Sequence, residues 1–438
     1  MKVFFTGVSI LIATVSVFAQ DSMQRFNLHF QTTYIYQYKP AFHSPYQGSN
    51  SLRKGEEKQN SVTATLFFGA RLWKGGEIYI NPEVAGGSGL SGAFGLAAST
   101  NGETFRVGDP APTLYLARGF FRQTIALDHN GETVRTEDIA NQLQSRLPKD
   151  YFQFYIGKFG LSDLMDNNLY ANSPRTQFLN WCLMNTGAWD YAANTRGYTY
   201  AAAAVLQKGK MSYVLSLAAM PVIANGQDLN TNLNEEYALN ASIARVISMN
   251  GRAGNIRLLG FVNKAHMGNY REALQNSDPN NVPDIIADRK FGRYKTGFAI
   301  SADQSVTENV GIFLRLGYND GKNETWTFTE ADRSSCAGLN IGGAAWKRKN
   351  DNLGIGLLAN GLSKDHKGYL SAGGLGFQLG DSTLTYSNEM GTEIYYSYKP
   401  IGDRGIWFTG DYQLIINPGY NKDRGPVNVF SLRVHVEL

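Results

Sequence analysis

The stretch GIWFTGDYQLIINPGYNKDRGPVNVFSLRVHVEL, residues 405–438, decides the fold. It reads as two alternating strands around a turn rich in Gly, Pro and Asp. In its final run Phe430, Leu432, Val434, Val436 and Leu438 fall on one face, and Ser431, Arg433, His435 and Glu437 on the other. That is a strand with one side in oil and one in water. A run still in register at its last residue suits a strand that closes a sheet, and closure needs a partner. Residues 25–36 supply one, with Phe26, Leu28, Phe30, Tyr34 and Tyr36 alternating against Arg25, Asn27, His29, Gln31 and Thr33. Two amphipathic terminal strands that pair and leave no free edge are what a barrel requires, so the fold expected is all-β, a transmembrane antiparallel β-barrel.

Composition agrees. The chain is 12% aromatic and 18% charged, with 47 Gly, too polar for a helical membrane protein yet rich in Tyr and Phe. Barrels have this balance because half of each strand faces a wet lumen. The formal net charge of +4 is small for 438 residues, and no nucleic-acid partner is read from it. Lys2, an apolar run over residues 3–18 and the small Ala19 are expected to form a cleaved signal peptide, residues 1–19, with the mature chain starting near Gln20; the alternative is an uncleaved anchor, for which the run is short. No later stretch reaches the ~20 apolar residues of a spanning helix, so crossing must be by strands. Cys182 and Cys336 lie far apart and without metal-ligand spacing; they are expected to be unpaired structural thiols.

Residues 20–438 read as one barrel domain. Residues 39–60 form a polar surface loop or a plug element, with an ordinary solvated loop the expectation. Val62, Ala64, Leu66, Phe68, Ala70 and Leu72 share a face over residues 61–73, and a tight turn at Lys74, Gly75 and Gly76 leads into residues 77–84, where Ile78, Ile80 and Val84 oppose Tyr79, Asn81 and Glu83. The Gly- and Ser-rich stretch 86–113 is a long outward loop, long enough to fold inward. In residues 114–127, placing Tyr115, Ala117, Phe121 and Ile125 toward lipid puts Arg118 and Arg122 in the lumen, the cheaper side for charge. Residues 128–150 are polar, a loop or a short helix with Thr136 as cap. After a strand over residues 151–158 comes an aperiodic, aromatic and polar connection, residues 160–197, far longer than an ordinary loop; this is the candidate for a segment that narrows the channel. Eleven further strand candidates follow from residue 197 to the end, one of them running from Ala337 to Trp346, joined by short turns on one side and long loops on the other. The count is about 16 strands, with a water-filled lumen and long extracellular loops.

The order of short motifs resembles the carbohydrate-selective porins of the OprB type, from Gram-negative outer membranes. The densest parts are Asn81-Pro82-Glu83 to Gly92; Leu114 to Arg118 with Arg122-Gln123-Thr124; Asp163 to Asn168; Pro174 to Asn180; Gly187 to Tyr191; and, near the end, Glu389, Glu393 to Tyr396, Asp411-Tyr412-Gln413, Asn417-Pro418-Gly419 and Asp423 to Arg433. The resemblance implies a sixteen-stranded barrel in the outer membrane and passive, carbohydrate-selective diffusion of mono- or oligosaccharides. It implies outer-membrane lipid and the barrel-assembly machinery as partners and leaves a homo-oligomer open, with no stretch marking a protomer interface. The chain departs from the family at Leu438, where Phe is usual, at Leu164-Met165 and at Ser173; the last two fall in the stretch that would set sugar preference.

A sugar offers hydroxyls, which suit bidentate charged or amide partners, and C–H faces, which stack on rings. Alternation places Glu83, Arg118, Arg122, Arg315, Glu393, Asp411, Gln413, Arg433 and Glu437 in the lumen, mixed in sign as suits neutral polyols. The substrate-binding candidates are Glu83, Arg118, Arg122, Glu393, Asp411 and Arg433 on the wall and Trp181 as a stacking surface in the long connection. Against this stand wall ion pairs for the charges, and loop packing or an interfacial girdle for Trp181 and Trp189. Tyr395, Tyr396 and Tyr398 read as girdle. No G-x-S-x-G, HExxH or phosphate loop is present and the six His are scattered, so neither an enzyme nor a cofactor is expected. The alternative to a porin is a non-transporting outer-membrane barrel with a plugged lumen and an adhesive or structural role.

Overall fold

The computed structural model describes residues 23–104, 110–277, 282–402 and 405–438; the expected signal peptide lies outside them. Among the described residues, sixteen antiparallel strands close into one barrel. They are β1 (Phe26–Lys39), β2 (Glu57–Trp73), β3 (Gly76–Gly87), β4 (Thr113–Ala126), β5 (Tyr151–Phe159), β6 (Thr199–Lys208), β7 (Met211–Ala218) and β8 (Tyr237–Met249). The second half comprises β9 (Arg252–Met267), β10 (Lys290–Ser305), β11 (Val310–Asn319), β12 (Arg333–Gly342), β13 (Asn352–Gly361), β14 (Glu389–Tyr398), β15 (Gly405–Ile416) and β16 (Val427–Glu437). Each strand pairs with its neighbour in sequence, and β1 pairs with β16 from Gln31 opposite Glu437 to Tyr38 opposite Phe430. The two terminal strands therefore close the barrel as expected, and every backbone edge is satisfied, the condition for crossing hydrocarbon.

Side chains alternate about this wall. Leu28, Leu66, Leu116, Leu215, Phe298 and Leu432 stand exposed on the outside, as a lipid-facing band requires. Gln31, Thr33, Thr65, Glu83, Arg433 and His435 are buried inside. Short turns gather at the end that carries both terminal strands. At one of them Asn250 and Gly251 both take positive φ, 52° and 75°, the two-residue hairpin turn that matches strand twist. Long connections gather at the opposite end, the extracellular side in outer-membrane barrels. No helix of the described residues is long and apolar enough to cross a membrane.

Four local expectations are corrected. Residues 128–150 hold no helix: Thr133–Thr136 pairs with Ser145–Pro148 as a hairpin, because the run has no apolar helical stripe and Val134 alternates with polar neighbours. Tyr115 faces the lumen rather than lipid, and Ala117 is buried. The cause is a register break between Asn81 and Pro82, where Ala117 is left without a partner; Pro82 lacks the N–H that a regular ladder would use. Tyr395 is no girdle residue: it points inward, 1% exposed. Its ring lies edge-on to Phe178, 5.0 Å between centroids. The strand expected to run to Trp346 ends at Gly342 and passes into a short 3-10 turn, Gly343–Trp346. Both cysteines are free and buried.

Candidate functional site

The connection between β5 and β6, residues 160–198, folds into the lumen. Its apolar residues Phe178, Leu179, Trp181, Leu183, Trp189 and Tyr191 are buried there; a fully buried side chain of this size contributes about 1.5–3 kcal/mol. Its polar backbone must then find partners inside the barrel. Arg315 of β11, 1% exposed, supplies several. Its Nε donates to the Asp166 carboxylate at 2.8 Å and its Nη1 to the Leu183 carbonyl at 2.8 Å. From β14, the Glu393 carboxylate accepts the N–H groups of Leu179 at 2.5 Å and Asn180 at 2.8 Å. From β16, Arg433 Nη1 donates to the carbonyls of Pro174 at 2.6 Å and Gln177 at 2.8 Å. Charge-assisted bonds of this kind contribute about 1.5–3 kcal/mol each before the cost of burying the ions is subtracted.

Segment 174–180 is thus pinned to one wall, and Arg175, inside it, reaches toward the wall of β2, β3 and β4. Its Nη2 meets the Glu83 carboxylate at 3.0 Å and its Nε meets Glu103 at 3.0 Å. Glu103 belongs to residues 88–104, which also fold inward; their Thr100 carbonyl accepts from Gln413 Nε2 at 2.7 Å. Glu83 takes further hydrogen bonds from the Thr65 and Tyr115 hydroxyls. Beside this crossbar, Arg118 grips Asp163 with Nε and Nη2, both at 2.8 Å. The Arg118 guanidinium lies 5.0 Å from the Tyr198 ring centroid, and that of Arg196 lies 4.1 Å from the Tyr115 centroid. The space left, about 280 Å³, is lined by these groups and by Trp181, whose ring stacks on Phe328 at 4.5 Å. Three carboxylates, Glu83, Glu103 and Asp163, face three guanidiniums, Arg118, Arg175 and Arg196. Planar guanidinium and carboxylate forks held beside aromatic faces can bind a polyol by hydroxyl and by ring.

Of the residues singled out from sequence, Glu83, Arg118 and Trp181 line this space. Arg122 lines the space nearer the short turns, donating from Nη2 to Glu77 at 2.5 Å and to the Tyr79 hydroxyl at 2.7 Å. Glu393, Asp411 and Arg433 are 1%, 7% and 1% exposed, covered by the inward loop. Arg175, Glu103, Asp163, Arg196 and Tyr198 were not singled out as contacts, since they sit on aperiodic loops or at a strand margin where alternation assigns no face. Trp189 packs against Tyr191 at 4.8 Å and donates to Asn240, a packing role.

The family model for carbohydrate-selective porins of the OprB family matches residues 49–438. Among solved structures, OprB of Pseudomonas putida at high pH superposes with a TM-score of 0.71 at 15% identity, covering 94% of each chain. Its low-pH form gives 0.51 at 11% identity over 94% of this chain and 93% of that one. The outer-membrane channel DcaP of Acinetobacter baumannii gives 0.51 at 11% identity over 94% and 97%. No curated protein matches the chain. At these identities the superpositions speak to the barrel, and the family match speaks to the activity. The chain belongs to the OprB family of carbohydrate-selective porins, passive channels that admit sugars across the outer membrane.

Proposed function

We propose that the constriction held by Arg175 is where this channel contacts its sugar, with Glu83, Arg118 and Trp181 as direct contacts and Arg122 next on the path. Glu393 and Arg433 serve the site indirectly by fixing segment 174–180, and Asp411 packs beside them. The single observation that carries this reading is the equal number of guanidiniums and carboxylates around a narrow space, three of each. Net neutrality disfavours neither sign strongly and leaves hydroxyl recognition as the basis of choice, so the substrates are neutral sugars rather than ions. The protein resides in the outer membrane of a Gram-negative bacterium, with residues 1–19 removed on export and the barrel inserted by the assembly machinery.

Swelling of liposomes carrying the protein tests this. Neutral hexoses should enter faster than sugar acids or amino sugars of similar size, and Glu83→Gln should slow hexose entry. Equal rates for neutral and charged sugars, unchanged by Glu83→Gln, would remove the basis for the proposal.

A further inference from the structure

At the short-turn end one connection is anomalous. Its neighbours there are short, as at residues 74–75, 209–210 and 250–251, but residues 127–150 span the gap between β4 and β5 and carry the hairpin of Thr133–Thr136 with Ser145–Pro148. The hairpin tip turns back into the barrel. Asn27 Nδ2 donates to Asp138 at 2.9 Å and to the Gln142 carbonyl at 2.9 Å. His29 Nε2 lies 2.8 Å from the same carboxylate. The Leu143 N–H donates to the Tyr79 hydroxyl at 3.3 Å, and Leu143 is 1% exposed. The tip is therefore clamped across β1 and β3, under the lumen.

What the tip faces is the path from the constriction. A space of about 350 Å³ is lined by Arg118, Asp163 and Asn172, which also line the constriction, and by Ile139, Ala140, Asn141 and Gln142 of the tip. Arg122, Tyr155, Gln142 and Asn167 line both this space and a wider one of about 670 Å³ toward the short-turn mouth. The shared lining makes the three spaces neighbours. Asn141 lines the middle one, and its Oδ1, closed off from solvent, has no hydrogen-bond partner among the described residues. Asn141 also holds φ at 60°, a backbone conformation that Asn tolerates and most residues do not.

We propose that this middle space is a second sugar subsite, on the exit side, in which one neutral pyranose passing down from the constriction is held by the Asn141 amide, Arg122 and Asn167 against the rings of Phe120 and Tyr155. It rests on the sugar passage proposed above and adds a second contact built by an inward hairpin at the short-turn end. Carboxamides, guanidiniums and a carboxylate beside aromatic rings give this lining both donors and acceptors for sugar hydroxyls and faces for sugar C–H groups. Two weak sites in series also suit transport, since each releases readily.

The test is glucose block of single channels, in wild type, in Asn141→Gly and in a variant with residues 134–147 replaced by a short Gly-containing turn. Glycine keeps the positive φ while removing the amide. Conductance itself reports a folded barrel. In wild type, current noise under glucose should show two relaxation processes. Asn141→Gly should weaken the second by about two- to tenfold, the range for one hydrogen bond, and leave the first unchanged; the shortened variant should lose the second and conduct more. A single process in wild type, or two processes unaffected in both variants, overturns the subsite while leaving sugar passage standing. No glucose block at all in wild type overturns both.

Discussion

Replacing Arg175 with Met removes the one cation that spans from segment 174–180 to Glu83 and Glu103, while keeping an unbranched side chain of similar reach. The Arg175 side chain is 19% exposed, and those of Glu83 and Glu103 are 3% and 8%, so bulk water does little to replace it. The lining changes from three cations against three anions to two against three. A unit charge about 4 Å from a permeating ion is worth roughly 1 kcal/mol at the dielectric of water and about 4 kcal/mol at an effective value near 20. Since 1.4 kcal/mol is tenfold, cation preference over anions should rise at least about fivefold. The assay is the reversal potential of reconstituted channels across a potassium chloride gradient. Wild type should sit near zero selectivity and Arg175→Met should shift clearly toward the cation potential. Arg175→Lys should keep the wild-type reversal potential yet lose sugar affinity, because a point charge cannot make the two-sided bridge of a guanidinium. An unchanged reversal potential in Arg175→Met would refute the placement of Arg175 in the conduction path.

Arg433→Met strips both donors from the Pro174 and Gln177 carbonyls. Arg433 Nε and Nη2 have no partner among the described residues, which lowers the arginine's net worth, so the loop should lose about 2–3 kcal/mol of docking energy. Its undocked fraction should rise roughly 100-fold, seen as current flicker and as cleavage within residues 174–180 by added protease. Phe178→Ala empties a site packed against Tyr395 at 5.0 Å and Phe313 at 5.3 Å; about 3–5 kcal/mol should be lost, with the same flicker and no change in barrel β-content by circular dichroism. In the extracellular connections, burial pushes the Asp332 carboxyl up, but His366, Lys295 and the Ser363 N–H outweigh it and hold the group below its ordinary 3.8. A carboxyl lowered on folding contributes stability above its unfolded value and loses it as pH falls through the folded one. Hydrogen-exchange protection over Lys364–Ser371, taken relative to the intrinsic amide rate at each pH, should therefore be the same at pH 7 and pH 5, both above ~3.8, and fall only below about 3.8.

The barrel was legible because a wall between lipid and water imposes period two on every strand, and that period survives in Val62 to Leu72 and in Phe430 to Leu438. It failed at Tyr115 because one register break, at Ala117 opposite Asn81 and Pro82, puts the side chains before and after it out of phase, and nothing in local alternation marks a break. The lumen-facing assignment of Glu393 and Arg433 was sound, but facing the lumen does not mean reaching its water: a loop folded over them converts wall charges into anchors. Arg175 lies within the stretch read as a candidate for narrowing the channel, yet its partners are 92 and 72 residues away in sequence, on elements that only closure of the barrel brings near. The inward hairpin of residues 127–150 escaped for a similar reason, since its tip is held by Asn27 of β1 and Tyr79 of β3, far from it in sequence.

The most direct measurement is single-channel conductance of the refolded protein in planar bilayers, with and without mono- and disaccharides. Open channels whose current falls on adding sugar, at concentrations where an inert polyol of similar size has no such effect, are expected from a constriction that binds as it conducts. A folded protein that carries no current, or one whose current is reduced equally by the inert polyol, would contradict it.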